Sequence, residues 1–188
     1  MRKDLGAKPA VYPMPVLMIA TYDENGVVDV MNAAWGMVCT SDKVTLALSD
    51  SHKTFKNILL NKAFTVSLAD VKNIKAADYF GIASGNNTPD KFERTGMTAV
   101  KSERVNAPII DEFPVTLECE LAEIVETKNI RSVIGRIVNV SVREEALDEN
   151  GNIDVNKAGI LIFNGFDSGY YLTGEKAGQA WGDGMELK

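Results

Sequence analysis

The feature that most constrains the fold is a series of short strand-like segments that follow one another in pairs. Residues 16–22 and 27–32 flank the turn Asp23-Glu24-Asn25-Gly26, and residues 35–40 and 44–48 flank a second polar turn. An Asn-Gly step is typical of a tight hairpin, because these residues tolerate positive φ angles. Strands joined by such short turns run antiparallel. The first third of the chain therefore predicts an antiparallel sheet.

Later segments extend this sheet. Further strands are predicted over residues 64–68, 115–125, 130–142 and 160–163. The chain is therefore expected to contain about eight strands. Most of the early runs are apolar on both faces, as in a closed or two-sided sheet. Strands paired with their neighbours in sequence predict a mainly β chain, folded as an antiparallel barrel with helices at its rim.

Three short helices are expected between the strands. Phe55, Ile58 and Leu59 have helical spacing after Ser51, a plausible N-cap. Residues 74–82 form a second helical segment. A third starts at Thr88-Pro89, with the proline at the first helical position, and ends at Gly96.

Length and composition indicate one domain, residues 1–188. A chain of 188 residues with 45% hydrophobic and 24% charged residues can bury a substantial core.

The net charge of −6 argues against a general nucleic-acid or anionic-membrane binder. The single histidine and two cysteines make a metal site, a disulfide scaffold or a Ser-His-Asp hydrolase improbable. No targeting or membrane-spanning run is visible, so a cytoplasmic protein is expected.

The first candidate site is the start of the first helix. Ser49, Ser51, Lys53 and Thr54 place three hydroxyls and one ammonium group there. The free N–H groups and positive dipole end of a helix favour anions, and this set suits a terminal phosphate. The commoner explanation of such residues is that Ser51 only caps the helix and Lys53 is solvated.

The second candidate is the small-residue strand around Trp35. Ala33, Ala34 and Gly36 would let a flat ring approach the backbone and pack on the Trp35 side chain. The alternative is a core tryptophan with small neighbours.

Two further candidates lie later in the chain. Lys91 and Arg94 are predicted to share a helical face, and an aromatic tail over residues 170–181 suits packing on another surface. A solvated face is the more frequent explanation of the Lys91 and Arg94 pair.

Taken in order, these segments resemble the flavin reductase-like family of FMN-binding split barrels, and especially its flavoredoxin branch. The resemblance runs from about Pro15 to Trp181. It is carried by Val30-Met31-Asn32-Ala33-Ala34-Trp35-Gly36, Lys53-Thr54-Phe55-Lys56-Asn57-Ile58, Ala77-Asp78-Tyr79-Phe80-Gly81, Ser84-Gly85, Asp90-Lys91-Phe92, Leu117-Glu118-Cys119 and the Tyr171-Leu172-x-Gly174-x-x-x-Gly178 tail.

This resemblance implies an antiparallel split barrel of Greek-key type with short flanking α-helices, assembled as a homodimer with FMN near the subunit interface. Family flavin contacts map onto Asp29, Trp35 and the backbone of Gly36, Met37 and Val38, with Lys91 beside the flavin and Phe166 as a weaker match. Phosphate contacts map onto Ser49, Ser51, Lys53 and Thr54.

Two positions depart from the flavoredoxin pattern. Asp29 stands where asparagine is common in that branch, which changes the local charge. Ile130 stands five residues before Gly135, where flavoredoxin-like chains can carry a histidine.

The implied activity is that of an FMN-binding oxidoreductase that moves electrons from NAD(P)H or a reduced donor to flavin. One alternative is a flavoredoxin-type electron carrier with prosthetic FMN that meets a redox protein. The other is a split-barrel protein that binds another ligand, such as haem or a pyridoxal-type phosphate. The position of the single histidine, His52, at the phosphate-like helix start makes haem ligation improbable.

Overall fold

A computed structural model describes residues 1–126 and 131–188. The described residues contain two α-helices, α1 (Lys53–Asn61) and α2 (Ile74–Ile82). Their strands are β1 (Met14–Pro15), β2 (Leu17–Tyr22), β3 (Val28–Ala33), β4 (Gly36–Thr40), β5 (Lys43–Ala47), β6 (Ala63–Leu68), β7 (Ala99–Lys101), β8 (Pro108–Ile110), β9 (Val115–Glu126), β10 (Arg131–Val142), β11 (Leu161–Asn164) and β12 (Gly169–Leu172). The comparison made at Ile130, and the predicted start of β10 there, lie outside the described residues.

The strands form a curled antiparallel sheet, which confirms the predicted split barrel. Seven of them pair in the order β3-β2-β6-β9-β10-β5-β4, so β3 and β4 lie at opposite edges although they are consecutive in the chain. A second sheet has the order β1-β11-β12, and β7 pairs with β8. Ala34 and Trp35, between β3 and β4, connect the two edges of the main sheet.

Two apolar clusters pack on the two faces of β2. Met18 and Ala20 belong to one cluster, with Phe80 of α2. Leu17 and Ile19 belong to the other, with Phe55 of α1. Because successive side chains of a strand point to opposite faces, a strand between two cores must be apolar throughout. This arrangement explains the continuous apolar run that the sequence shows.

The first two of the three predicted helices are confirmed as α1 and α2, but the predicted N-cap of α1 is corrected. Phe55 and Ile58 are buried as the spacing predicted, and α2 has the predicted bounds. The residue before α1 is His52, in extended conformation and without a side-chain capping bond. Ser51 does not cap the helix, because its hydroxyl lies 2.7 Å from that of Ser49.

Two other local predictions are corrected. In the first hairpin only Gly26 has a positive φ, of +77°, because the carboxylate of Asp23 holds the turn by accepting the N–H groups of Asn25 and Val27. The helix predicted from Thr88 is reduced to one 3-10 turn, Glu93–Thr95. Lys91 is buried while Arg94 is exposed, so the two cations do not share a solvated face.

Four of the short strands were not predicted. β1, β7, β8 and β12 contain two, three, three and four residues. Segments this short carry little periodicity of their own, and β1 is defined by a partner distant in sequence, since Met14 pairs with Phe163. Within the described residues, none of the helices has both the length and the apolar character that a membrane crossing requires.

Cys119 should make the protein less stable in alkali. This fully buried thiol lies in the cluster on the α1 side, and burial, aided by the charge of Glu118, raises its pKa from 9.0 to about 12. Between these values the unfolded chain releases a proton that the folded chain keeps, so the free energy of unfolding falls as pH rises. From pH 9 to 10.5 we expect wild type to lose about 1–2 kcal/mol more than Cys119→Ala in urea titrations.

The matched control is Cys39→Ala, because the thiol of Cys39 is exposed. Its alkaline loss should equal that of wild type. Parallel losses in Cys119→Ala and wild type would contradict the assignment to Cys119.

Candidate functional site

A cleft runs along the segment that joins the sheet edges, bordered by α2 and the start of α1. It has a wider part of about 430 Å³ and a narrower part of about 130 Å³. The two parts share Met31, Asn32, His52, Gly81 and Ile82. We call the whole space the candidate cleft, and its narrower part the polar end.

A buried ion pair forms the inner wall of the polar end. The ammonium nitrogen of Lys91 lies 3.2 Å from a carboxylate oxygen of Asp29, and the two side chains are 3% and 2% exposed. The Thr54 hydroxyl donates to the other Asp29 oxygen at 2.7 Å, and Lys91 also donates to the Ala83 carbonyl. Burial lowers the pKa of Lys91, and the charge of Asp29 opposes that shift. The pair therefore ties β3, α1 and the residue 83–91 segment together.

A second ion pair lies nearer to solvent. Lys53 Nζ lies 2.9 Å from an Asp23 carboxylate oxygen, with side-chain exposures of 17% and 7%. Burial acts to raise the pKa of Asp23, but hydrogen bonds from Lys53, Val27 and Asn25 hold it below its usual value. Lys53 is thus the more accessible cation of the polar end.

The residues before α1 carry two exposed hydroxyl groups, which lie 2.7 Å from each other. Ser49 and Ser51 are exposed, and the Asn86 amide donates to the Ser51 carbonyl at 2.9 Å. No side chain caps α1, so its positive dipole end is open to an anion. Asn86 fixes the backbone of this turn against the loop that follows α2.

The wider part combines small apolar residues with one polar network. Ala33, Ala34 and Trp35 form one side of it, with Trp35 60% exposed. Tyr170 donates to a carboxylate oxygen of Asp78 at 2.9 Å, and Asn32 donates to the Tyr170 hydroxyl at 3.4 Å. Burial, then the bond to Asp78, raises the pKa of Tyr170, so the phenol stays protonated at neutral pH.

The structure brings some of the predicted site residues into the cleft and leaves others outside it. Asp29, Trp35, Lys53, Thr54 and Lys91 line the cleft. Ser49 and Ser51 precede α1 at the margin of the cleft. Four predicted site residues do not line the cleft: Gly36, Met37 and Val38 on the edge strand β4, and Phe166 in the β11–β12 turn.

The environments of Trp35 and Gly36 separate the two interpretations of their strand. The exposure of Trp35 excludes a core tryptophan. Packing explains the glycine at position 36, because a Cβ there would lie 2.7 Å from Leu46 Cδ2 and 2.9 Å from Leu17 Cδ1. The absence of a side chain at Gly36 therefore lets the core residues pack closely beneath β4.

Several lining residues were not among the predicted site residues. Gly85 has a detectable signal, a glycine shortly after a helix, and a Cβ there would lie 2.2 Å from Asp29 Oδ1. Tyr170 and Asp78 are 92 positions apart, and a single sequence gives no signal for such a pair. The other missed residues are Asn32, His52, Gly81, Ile82 and Ser84.

Comparisons with known proteins show which family this chain resembles. The family model described as "Flavin reductase like domain" matches residues 10–167. The solved structure of flavoredoxin from Desulfovibrio vulgaris (Miyazaki F) is 36% identical and overlays with a TM-score of 0.93, covering 98% of this chain and 100% of that one.

Two more distant similarities extend the comparison. Flavoredoxin from Methanosarcina acetivorans, at 24% identity and a TM-score of 0.89 with full coverage of both chains, has the same fold. An uncharacterized protein of Aquifex aeolicus is 26% identical over 157 residues, 78% of each chain. With most of its length matched by the family model, the chain belongs to the flavin reductase-like family.

Proposed function

We propose that the candidate cleft binds FMN and that the chain is an oxidoreductase moving electrons from NAD(P)H or a reduced donor to flavin. The observation that carries the proposal is the continuity of a wide, partly apolar space with a polar end at the uncapped start of α1. FMN has the matching shape, a flat ring joined to a dianionic phosphate. The volume of the wider part lies in the range of ordinary ligand pockets, about 300–1,000 Å³.

The residues at the polar end fit a phosphate. Ser49 and Ser51 hydroxyls and the Lys53 ammonium are the side chains that would hold it. The Thr54 hydroxyl already donates to Asp29, so Thr54 would contribute its backbone N–H instead. His52 stands where the two parts of the cleft meet and would lie beside the sugar-like chain between ring and phosphate.

The wider part fits the flavin ring. Trp35 would pack on the ring, and the backbone of Gly36, Met37 and Val38 would provide polar contacts at its edge. The flavin supplies the redox chemistry when bound, and the protein orients it and sets the local charge. Lys91 is proposed to place positive charge near the reduced flavin. An unchanged reduction potential in Lys91→Met would remove that role.

We also propose that residues 1–188 act as one cytoplasmic, homodimeric FMN-binding domain. The support for a dimer is the edge strand β4, whose Met37 and Val38 are 61% and 55% exposed. Exposed apolar side chains beside a ligand cleft are typical of interaction surfaces. Phe166, at the exposed β11–β12 turn, would reach flavin only across such an interface.

A flavoredoxin-type electron carrier is the second candidate function. The 36% identity to a flavoredoxin over nearly the whole chain favours it. In that case FMN stays bound, and a redox protein is the partner. The two functions share the cleft and differ in whether flavin leaves it.

The test is a visible absorption spectrum of the purified protein before and after addition of FMN and desalting. A retained flavin spectrum with quenched fluorescence is expected, followed by NADH or NADPH oxidation assays with free FMN. Retention without nicotinamide oxidation would indicate the carrier, and turnover of free FMN the reductase. A protein that retains no flavin and reduces none would refute both.

A further inference from the structure

The Asp23 carboxylate uses its two oxygens for different contacts. Oδ1 accepts the N–H groups of Asn25 and Val27, both at 2.9 Å, and so holds the turn between β2 and β3. Oδ2 lies 2.9 Å from Nζ of Lys53, the first residue of α1. The carboxylate is only 7% exposed, and the turn fixes it in place whether or not Lys53 contacts it. Lys53 is therefore paired with an anion that is part of the fold.

Lys53 reaches this carboxylate from the polar end of the candidate cleft. Its side chain lines the polar end, whereas Asp23 is not among the described residues that do so. The stem of the lysine passes close to Gly85, because a Cβ on that glycine would lie 3.1 Å from Lys53 Cδ. A lysine ammonium group is carried on a flexible four-carbon stem, so it can turn from one anion towards another nearby.

The charges around the polar end cancel in this arrangement. The carboxylate and ammonium groups of its described lining are those of Asp29, Lys53 and Lys91, and Asp29 neutralises Lys91. Lys53 is the cation that remains for an anionic ligand, and Asp23 neutralises it in turn. Burial acts to raise the pKa of Asp23, but the hydrogen bonds that its carboxylate accepts hold the pKa below its usual value. Asp23 therefore stays charged at neutral pH and competes with any anion that approaches Lys53.

We propose that Asp23 competes with the ligand phosphate for Lys53 and thereby lowers the affinity of the cleft for FMN but not for riboflavin. When a phosphate binds, the ammonium group must leave Asp23 or divide its donors between two anions, and the fixed carboxylate repels the phosphate. Riboflavin has the same ring and sugar-like chain without the phosphate, so its binding does not meet this cost. The inference rests on the proposed function for the identity of the ligand. Asp23 is in this view a positioning residue that acts through Lys53.

The first test titrates FMN and riboflavin into Asp23→Asn and wild type. The asparagine oxygen can still accept from Asn25 and Val27, so the substitution keeps the turn and removes the partner of Lys53. We expect Asp23→Asn to bind FMN about 10-fold more tightly than wild type, as for the loss of one partly screened like charge, and riboflavin within about 2-fold of wild type. Equal or weaker FMN binding, or a gain that riboflavin shares, would overturn the proposal.

Two further variants separate competition for Lys53 from the charge of the turn alone. Glu24→Gln removes a negative charge from the exposed position next to Asp23, and its affinity for FMN should stay within about 3-fold of wild type. Lys53→Met should weaken FMN binding more in the Asp23→Asn background than in the wild-type background, because only there is the ammonium group free for the phosphate. Equal losses in the two backgrounds would overturn the competition, since independent charges act additively.

The second test needs no flavin. Inorganic phosphate, compared with chloride at equal ionic strength, should raise the Tm of flavin-free Asp23→Asn more than that of wild type, because tighter binding to the folded state stabilises it more. Equal rises in Tm would overturn the proposal. If wild type binds neither FMN nor riboflavin, the proposed function fails, and the phosphate comparison still decides whether Asp23 competes for Lys53.

Discussion

Lys91→Met should lower the free energy of unfolding by about 3–5 kcal/mol, because it leaves the Asp29 carboxylate buried without a cation. Asp29 would keep the Thr54 hydroxyl as a donor, but its side chain is only 2% exposed and water cannot replace the ammonium group. The size of the expected loss reflects an unpaired buried charge rather than the net contribution of the ion pair. Urea unfolding of the flavin-free protein, followed by circular dichroism, measures the loss.

The double variant Lys91→Met/Asp29→Asn is the matched control. It removes both charges, and the amide oxygen can still accept from Thr54, so part of the lost stability should return. A second control is Arg94→Met, which breaks the exposed Arg94–Asp90 pair and should change stability by less than about 1 kcal/mol. A loss below about 1 kcal/mol in Lys91→Met would show that Asp29 is neutralised in another way.

The strands were predictable because their signals are local. β2 and β3 could be placed from apolar runs on either side of a polar turn, and α2 from its spacing between Ile74 and Ile82. The continuous apolar character of β2 also indicated a sheet covered on both faces. β12 is four residues long and depends on β11 and the β11–β12 turn, so its own sequence carries too little signal.

Local patterns predicted only the part of the site at the start of α1, whereas Asp29 and Lys91 were predicted through the family resemblance. The place of Lys53 and Thr54 in the site could be predicted, because they belong to a polar segment at the start of a helix. Asp29 and Lys91 are 62 positions apart, and their burial arises from tertiary packing. A lysine in a polar helical segment is usually expected on a solvated face. The Lys91 side chain instead points inward, where it contacts Asp29 and the Ala83 carbonyl.

Ser51→Asp should weaken FMN binding at least 100-fold. The substitution places a carboxylate beside Ser49 and the start of α1, where the proposed phosphate would bind. Repulsion between two charges about 4 Å apart near a protein surface is of the order of 4 kcal/mol, and a 100-fold loss requires about 2.7 kcal/mol. Stability should change little, because Ser51 is exposed and its side chain does not cap the helix. Quenching of FMN fluorescence gives the dissociation constants.

The matched control is Ser41→Asp, which adds the same charge at the exposed β4–β5 turn. Its affinity for FMN should remain within about 3-fold of wild type, since solvent screens charges separated by more than about 10 Å. Equal affinities of the Ser51→Asp and Ser41→Asp variants would show that the phosphate lies elsewhere. Restored binding of Ser51→Asp to riboflavin, which lacks the phosphate, would instead place the repulsion at the phosphate itself, because the ring end of the cleft is unchanged by the substitution.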